Sequence, residues 1–231
     1  MSEGTRSPAA GRRPWVVGVS GASGTPYAAA VLRGLLAAGE DVDLVVSRAA
    51  RLTLRDETGI SFRDGHWSAD LARWLALGAD GRPGPAVPEL ARVRYWSAGD
   101  LAAGPSSGSY PVRGMVIVPA STASVAGVAL GLSKDLLQRA ASVTLKERRP
   151  LVVVVRETPL NGVTLRQLVA LDDAGAVVLP ASPAFYAGAV VLQDLVDFVA
   201  GRALDALGVP HGLYRRWSGE LGGAARAVDH S

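Results

Sequence analysis

Leu145–Leu160 reads LKERRPLVVVVRETPL, and this stretch decides the fold. Lys146, Glu147, Arg148 and Arg149 close a helix, Pro150 forbids its continuation, and Leu151 to Val155 is an apolar run of mostly β-branched side chains. A strand apolar on both faces belongs inside a parallel sheet, and open α/β sheets bind ligands beyond the C-terminal ends of such strands. Arg156 and Glu157 stand at that end, followed by Thr158 and Pro159. A guanidinium beside a carboxylate there can hold an anion and move a proton; it can equally be an ion pair at a helix-capping loop.

The same alternation extends outward. Trp15 to Val19 reads as a strand, Ser20 to Gly24 as a glycine-broken turn, and Pro26 to Ala38 as an Ala/Leu-rich helix stopped at Gly39. Gly21 and Gly24 allow a ligand close to the backbone, and the hydroxyls of Ser20, Ser23 and Thr25 with free N–H groups at the helix start favour a phosphate. The glycines at 18, 21 and 24 match neither a Walker A loop nor the G-x-G-x-x-G spacing. Asp43 to Val46 reads as a second strand, with Ser47 placed to cap a helix from Arg48 to about Glu57. From Gly59 to Pro111 the periodicity weakens and turn residues accumulate, as in an excursion or lid; Asp100 and the run Ser106, Ser107, Gly108, Ser109 end it.

Met115 to Val118 is the next strand, and Pro119 to Ser124 a second hydroxyl-rich turn. Two such loops at one sheet edge can surround a single ligand. Ser133 then caps a helix from Lys134 to Arg148, on which Arg139 and Lys146 share a face about 10 Å apart, a spacing that a solvated face also gives. Beyond the central strand come a short helix from Leu165 to Leu171, a strand from Ala176 to Leu179, and the loop PASPAFY, Pro180 to Tyr186, with a phenol at its tip. The last helix, Val191 to Leu207, carries Arg202 on the same face as Leu195, Phe198 and Val199, where an arginine either snorkels or is used. The alternation predicts a doubly wound, mostly parallel sheet with helices on both faces. One domain is expected over 15–217, flanked by a disordered segment 1–14 and a flexible tail 218–231.

Composition excludes several classes. The 231 residues are 48% hydrophobic with a net charge of +3, and no block of like charges points to nucleic acid. The absence of cysteine removes disulfides and thiolate chemistry, and three scattered histidines, His66, His211 and His230, make no metal set. Met1 to Pro14 has no apolar signal core, so a cytoplasmic location is expected. Gly114 to Ser133 carries no charge and is long enough for a bilayer, but Pro119, Ser121, Thr122, Ser124, Gly127 and Gly131 break it into a strand, a turn and a small-residue helix, so no membrane span is expected.

GVSGASGTPY at 18–27, Ser47, VPASTASVAGVALG at 118–131, LLQRAASVTLKERRPLVVVVRETPL at 136–160 and PASPAFY at 180–186 closely resemble the flavin prenyltransferases, the UbiX/Pad1 family. The likeness runs on through Asp194 and Arg202 to Trp217, and is weakest at both termini and across Ile60 to Ala98. It implies a flavodoxin-like fold, a metal-independent enzyme that joins a dimethylallyl group from dimethylallyl phosphate to reduced FMN, and prenylated FMN as product for a UbiD-type decarboxylase. It also implies a homo-oligomer, usually a dodecamer, with sites between subunits. The FMN positions it implies are Gly21, Ala22, Ser23, Ser47, Ser121, Thr122, Ala123, Ser124 and Arg156. The prenyl-donor positions are Tyr186 and Arg202, with Arg139, Lys146, Ser107, Gly108 and Ser109 as further candidates, and Glu157 matches the acid/base carboxylate. Lys146 and Tyr186 count with Glu157 as catalytic, and Trp217 offers a π-face to an allylic cation.

The chain departs from the family at Ala120, where many members have Cys, at Ser124, where many have Thr, and at Leu101, where some place an aromatic. Two other classes share the frame or its ligand. Flavin-dependent cysteine-type decarboxylases carry a catalytic His in the first half and an Asn-Met-rich motif after the third strand, where this chain has PASTAS and, early on, only His66. A non-catalytic flavin-binding accessory subunit has no need of the second anion clamp that Lys146, Tyr186 and Arg202 suggest.

Overall fold

The computed structural model describes residues 12–217 and 219. Residues 1–11, 218 and 220–231, and with them most of the two expected terminal segments, lie outside the described residues. Strands β1 (Trp15–Val19), β2 (Val42–Val46), β3 (Val93–Ser97), β4 (Gly114–Ala120), β5 (Leu151–Val155) and β6 (Val177–Pro180) pair in parallel in the order β3-β2-β1-β4-β5-β6. Seven α-helices connect them among the described residues: α1 (Thr25–Ala37), α2 (Arg48–Thr58), α3 (Trp67–Leu75), α4 (Thr122–Ala129), α5 (Leu136–Lys146), α6 (Gly162–Asp173) and α7 (Leu192–Leu207).

The period of two along each strand divides the interior into two cores. Trp15, Val17 and Val19 of β1, Leu44 and Val46 of β2 and Val152 and Val154 of β5 face one core with α1, α2, α3 and α7. Val16, Val45, Met115, Ile117, Leu151, Val153 and Val155 face the other with α4, α5 and α6. β5 is buried on both faces for that reason, as its run of branched side chains predicts. Without β3 the order is β2-β1-β4-β5-β6, the flavodoxin-like arrangement, whose topological switch point falls between β1 and β4.

Three sequence expectations are corrected. The stretch Gly59 to Pro111 is not only an excursion: it contributes α3 and the edge strand β3, whose Tyr95 packs on Phe62 and Trp67 at ring separations of 5.5 and 5.9 Å. The helix expected over Lys134–Arg148 runs from Leu136 to Lys146, because Asp135 rather than Ser133 caps it, accepting from Gln138 N at 2.9 Å. Arg148 turns left-handed at φ 55°, which ends the helix ahead of Pro150. The short helix expected at Leu165–Leu171 is α6, capped by Asn161 and extended to Asp173. The segment Gly114 to Ser133 is β4 followed by α4, and no helix of the described residues is long and apolar enough to cross a membrane.

Candidate functional site

The loops at the C-terminal ends of β1, β2, β4 and β5 are tied together by their own polar groups. Ser20 is completely buried; its Oγ donates to the Pro119 carbonyl at 2.8 Å and accepts from Ser121 N at 2.7 Å, joining the β1 and β4 loops at the switch point. Arg156 N donates to the Ala120 carbonyl at 3.3 Å, and Arg156 Nε to the Ser23 carbonyl at 3.1 Å. Ser47 N donates to the Val19 carbonyl at 2.9 Å, and its Oγ caps α2 by accepting from Ala50 N at 3.1 Å. Gly21 lies so close to the start of α2 that an added Cβ would meet Ala49 Cβ at 2.4 Å. Gly21, Ala22, Ser23, Ser47, Ser121, Thr122, Ala123, Ser124 and Arg156 therefore converge on one sheet edge.

The sequence predicts free N–H groups at the start of α1, but in the structure they are engaged. Glu57 Oε1 accepts from Gly24 N at 2.8 Å, and Oε2 accepts from Thr25 N at 2.8 Å and Thr25 Oγ1 at 2.6 Å. Burial pushes the Glu57 carboxyl up, but hydrogen bonds from Thr25, Ser23 and the Gly24 and Thr25 amides outweigh it and hold it below its ordinary value. Sequence reading missed Glu57, which belongs to the last turn of α2 and meets Gly24 across 33 residues, with no local pattern to mark it.

With α1 closed by a carboxylate, the anion-binding capacity of this edge falls to the start of α4. Ser121 is its N-cap, accepting from Ser124 N at 3.3 Å, and the first-turn amides of Thr122 and Ala123 have no intrahelical acceptor. Hydroxyls, helix-start amides and the Arg156 guanidinium are a donor set suited to a phosphate monoester such as that of FMN. Glu157 follows Arg156, exposed to solvent, with Oε1 accepting from Thr158 N at 3.0 Å.

A second group gathers at α7. The loop Pro180–Tyr186 leaves the sheet beside β5, with Ala181 N donating to the Val155 carbonyl at 2.8 Å. The Tyr186 ring is edge-on to Phe198 at 5.9 Å and to Trp217 at 5.6 Å. Arg202 Nη1 donates to Asp205 Oδ2 at 3.0 Å, and a cavity of about 430 Å³ between β6 and α7 is lined by Pro180, Ser182, Phe198, Arg202 and Asp205 among others.

The remaining predicted residues form a third group along α5. Arg139 Nε donates to the Ser106 carbonyl at 3.0 Å, Ser107 and Ser109 hydroxyls are 2.9 Å apart, and Arg149 Nη2 donates to the Gly108 carbonyl at 2.8 Å. Lys146 Nζ is paired with Glu147 at the foot of the helix. Lys146 precedes β5 and Arg156 follows it, so the two are separated by the length of that strand, about 16 Å. Within one chain the anticipated clamp of Lys146, Arg139, Tyr186 and Arg202 is therefore divided between two places.

A family model described as Flavoprotein matches residues 4–204. A flavin prenyltransferase UbiX of Streptomyces coelicolor is 80% identical over 211 residues, covering 91% of this chain and 98% of that protein. Among solved structures, AnUbiX (PadA1) in complex with FMN and dimethylallyl pyrophosphate is 35% identical with a TM-score of 0.76, covering 90% of this chain and 99% of that one. A dodecameric FMN-dependent UbiX-like decarboxylase of Escherichia coli O157:H7 is also 35% identical, with a TM-score of 0.75 over 89% of this chain and 100% of that one. Sequence and fold agree over nearly the whole length, and the chain belongs to the flavin prenyltransferases of the UbiX family.

Proposed function

We propose that the protein moves a dimethylallyl group from dimethylallyl phosphate to reduced FMN in the cytoplasm, and that the prenylated FMN serves a UbiD-type decarboxylase. The observation that carries this reading is the presence of two cationic groups with a solvent-exposed carboxylate beside the first of them. The start of α4 with Arg156 is the first group, Arg202 on α7 with Tyr186 in the loop before it is the second, and Glu157 follows Arg156 at the end of β5. A protein that only bound flavin would need the first group alone. The cysteine-decarboxylase reading has little support, since His66 is exposed in the turn before α3.

In this reading Gly21, Ala22, Ser23, Ser47, Ser121 to Ser124 and Arg156 hold the flavin, with its phosphate at the α4 start. Reduced FMN, when bound, supplies the nucleophilic ring that accepts the prenyl group. Arg202 and the Tyr186 hydroxyl hold the donor phosphate and stabilise the charge it gains as the allylic C–O bond breaks. The rings of Tyr186 and Trp217 offer π-faces to the developing allylic cation. Glu157 would take, at Oε2, the proton that the flavin ring must lose when a ring C–H is replaced by a bond to the prenyl group, since Oε1 already accepts from Thr158 N.

Lys146, Arg139 and Ser107 to Ser109 join this site from a neighbouring copy, because a strand length separates Lys146 from Arg156 within one chain. Phe185 at 79% exposure and Val190 at 85% lie next to Tyr186, and Leu130, Leu160, Val163 and Val169 leave an apolar surface over α4 and α6, both suited to burial between subunits of a homo-oligomer. The test is reconstitution: the enzyme, reduced FMN and dimethylallyl phosphate are incubated without oxygen, and the released flavin is added to a UbiD-type apo-decarboxylase. Decarboxylation is expected only when all three components were present; an apo-decarboxylase left inactive by the complete mixture contradicts the proposed recipient.

A further inference from the structure

Asp205 lies in the last turn of α7 with its side chain 18% exposed, and donors from two segments occupy both its oxygens. Oδ2 accepts from Arg202 Nη1 at 3.0 Å, Tyr214 OH at 2.5 Å and Arg216 Nη1 at 3.3 Å. Oδ1 accepts from Arg216 Nη2 at 2.7 Å and from His211 Nε2 at 3.0 Å. The tautomer of His211 follows from its other nitrogen: Nδ1 accepts from Leu213 N at 3.2 Å, so the ring proton is on Nε2 and is donated to Asp205.

His211, Tyr214 and Arg216 belong to a segment that doubles back along α7. Gly208, left-handed at φ 70°, ends the helix and reverses the chain. Gly201 lets the returning segment approach: a Cβ there would lie 2.6 Å from Tyr214 Cδ1 and 2.7 Å from His211 Cε1. From this anchor a line of rings leads to the donor residues, with Tyr214 against Phe198 at 4.9 Å, Phe198 against Tyr186 at 5.9 Å and Tyr186 against Trp217 at 5.6 Å. One carboxylate thus fixes the guanidinium of Arg202 and pins the segment that carries Trp217.

We propose that Asp205 is a positioning residue for the prenyl donor: it aims Arg202 and holds the returning segment so that Trp217 closes on Tyr186. This rests on the assignment of Arg202 and Tyr186 to the donor phosphate. Two guanidiniums share the one carboxylate, so the cluster keeps a net positive charge and still attracts a phosphate. Without Asp205, Arg202 and Arg216 repel each other, and a long side chain once held in one geometry regains its rotamer freedom. Flavin binding does not pass through this cluster, because its phosphate lies at the start of α4.

The experiment compares Asp205→Asn, Arg202→Ala and the double variant, with reduced FMN saturating and dimethylallyl phosphate varied under anaerobic conditions. Each single change is expected to raise the donor KM about tenfold or more while FMN affinity stays within about twofold, and the double variant to be no worse than the worse single one. If Arg202→Ala raises the donor KM and Asp205→Asn does not, or if the two effects multiply, the positioning role is overturned. A loss of FMN affinity in Asp205→Asn that parallels its loss of donor affinity also overturns it, since that is the mark of general structural damage. An unchanged donor KM in Arg202→Ala overturns the donor assignment itself, and the proposal with it. Should Asp205→Asn not fold, Tyr214→Phe keeps the ring and removes one hydrogen bond to Asp205; a rise in donor KM of about threefold is expected, and no rise overturns the proposal.

Discussion

Arg156 Nε donates to the Ser23 carbonyl at 3.1 Å across 133 residues, so the guanidinium at the end of β5 is fixed over the β1 loop. If that fixed charge holds the flavin phosphate, Arg156→Ala weakens FMN binding by about 2 kcal/mol, roughly thirtyfold in Kd. Titration of the apo-protein with FMN, followed by flavin fluorescence, measures it. An affinity unchanged from that of the parent protein contradicts the assignment.

Glu57 holds the start of α1 through Gly24 and Thr25, and its carboxyl lies below its ordinary value. The folded state therefore binds this proton less readily than the unfolded chain. The stability Glu57 provides is present above about pH 4.3, the unfolded value, and is lost as pH falls through the folded value. Glu57→Gln is expected to lower stability by about 1 kcal/mol at pH 7 and by much less in acid. Denaturant melts of both proteins at several pH values check this; a gap that widens on acidification contradicts it.

Asp43 shows the opposite sign. It is 1% exposed on β2, facing Trp96 and Tyr110, and burial pushes its carboxyl up, with those two side chains and Arg94 opposing the shift only in part. Asp43 Oδ2 and Trp96 Nε1 each lack a partner at ordinary hydrogen-bond geometry. The neutral form is favoured in the fold, so stability is fully present below about pH 3.9 and is lost as pH rises through the folded value. Asp43→Asn is expected to raise stability at pH 7 by about 1 kcal/mol, roughly 2–4 °C in Tm, with little change in strong acid. Thermal melts at the two pH values decide it, and a destabilised variant at pH 7 contradicts it.

Most of the sheet was legible because its central strands are apolar on both faces: Leu151 to Val155 and Met115 to Val118 cannot be buried in any simpler way. β3 was not legible, since VRYWS is a half-buried edge whose Arg94 and Tyr95 are satisfied by Tyr110 and Arg51, partners distant in sequence. The hydroxyl-rich loops were visible as local runs, and they do meet at one edge. The closure of α1 by Glu57 and the gathering of Arg202, His211, Tyr214 and Arg216 on Asp205 depend on side chains from separate segments, which spacing along the chain does not encode. The division of Lys146 from Arg156 follows from topology: a helix that ends at one edge of the sheet feeds a strand that ends at the other.

If Glu157 is the base of the proposed reaction, its exchange separates binding from reaction. Glu157→Gln keeps the side-chain shape and the hydrogen bond to Thr158 N but removes the base. FMN retention is expected to persist, while the rate of product formation falls by roughly two to four orders of magnitude. Single-turnover assays under anaerobic conditions measure this, and a variant that turns over at the parental rate contradicts the role.

The most direct measurement is the mass of the flavin itself. Purified protein is incubated without oxygen with reduced FMN and dimethylallyl phosphate, and the flavin released on denaturation is analysed by mass spectrometry. The account predicts a flavin heavier by one prenyl unit, formed by the parent protein and nearly absent with Glu157→Gln. Recovery of unmodified FMN alone from the parent protein, at saturating flavin and donor, would contradict it.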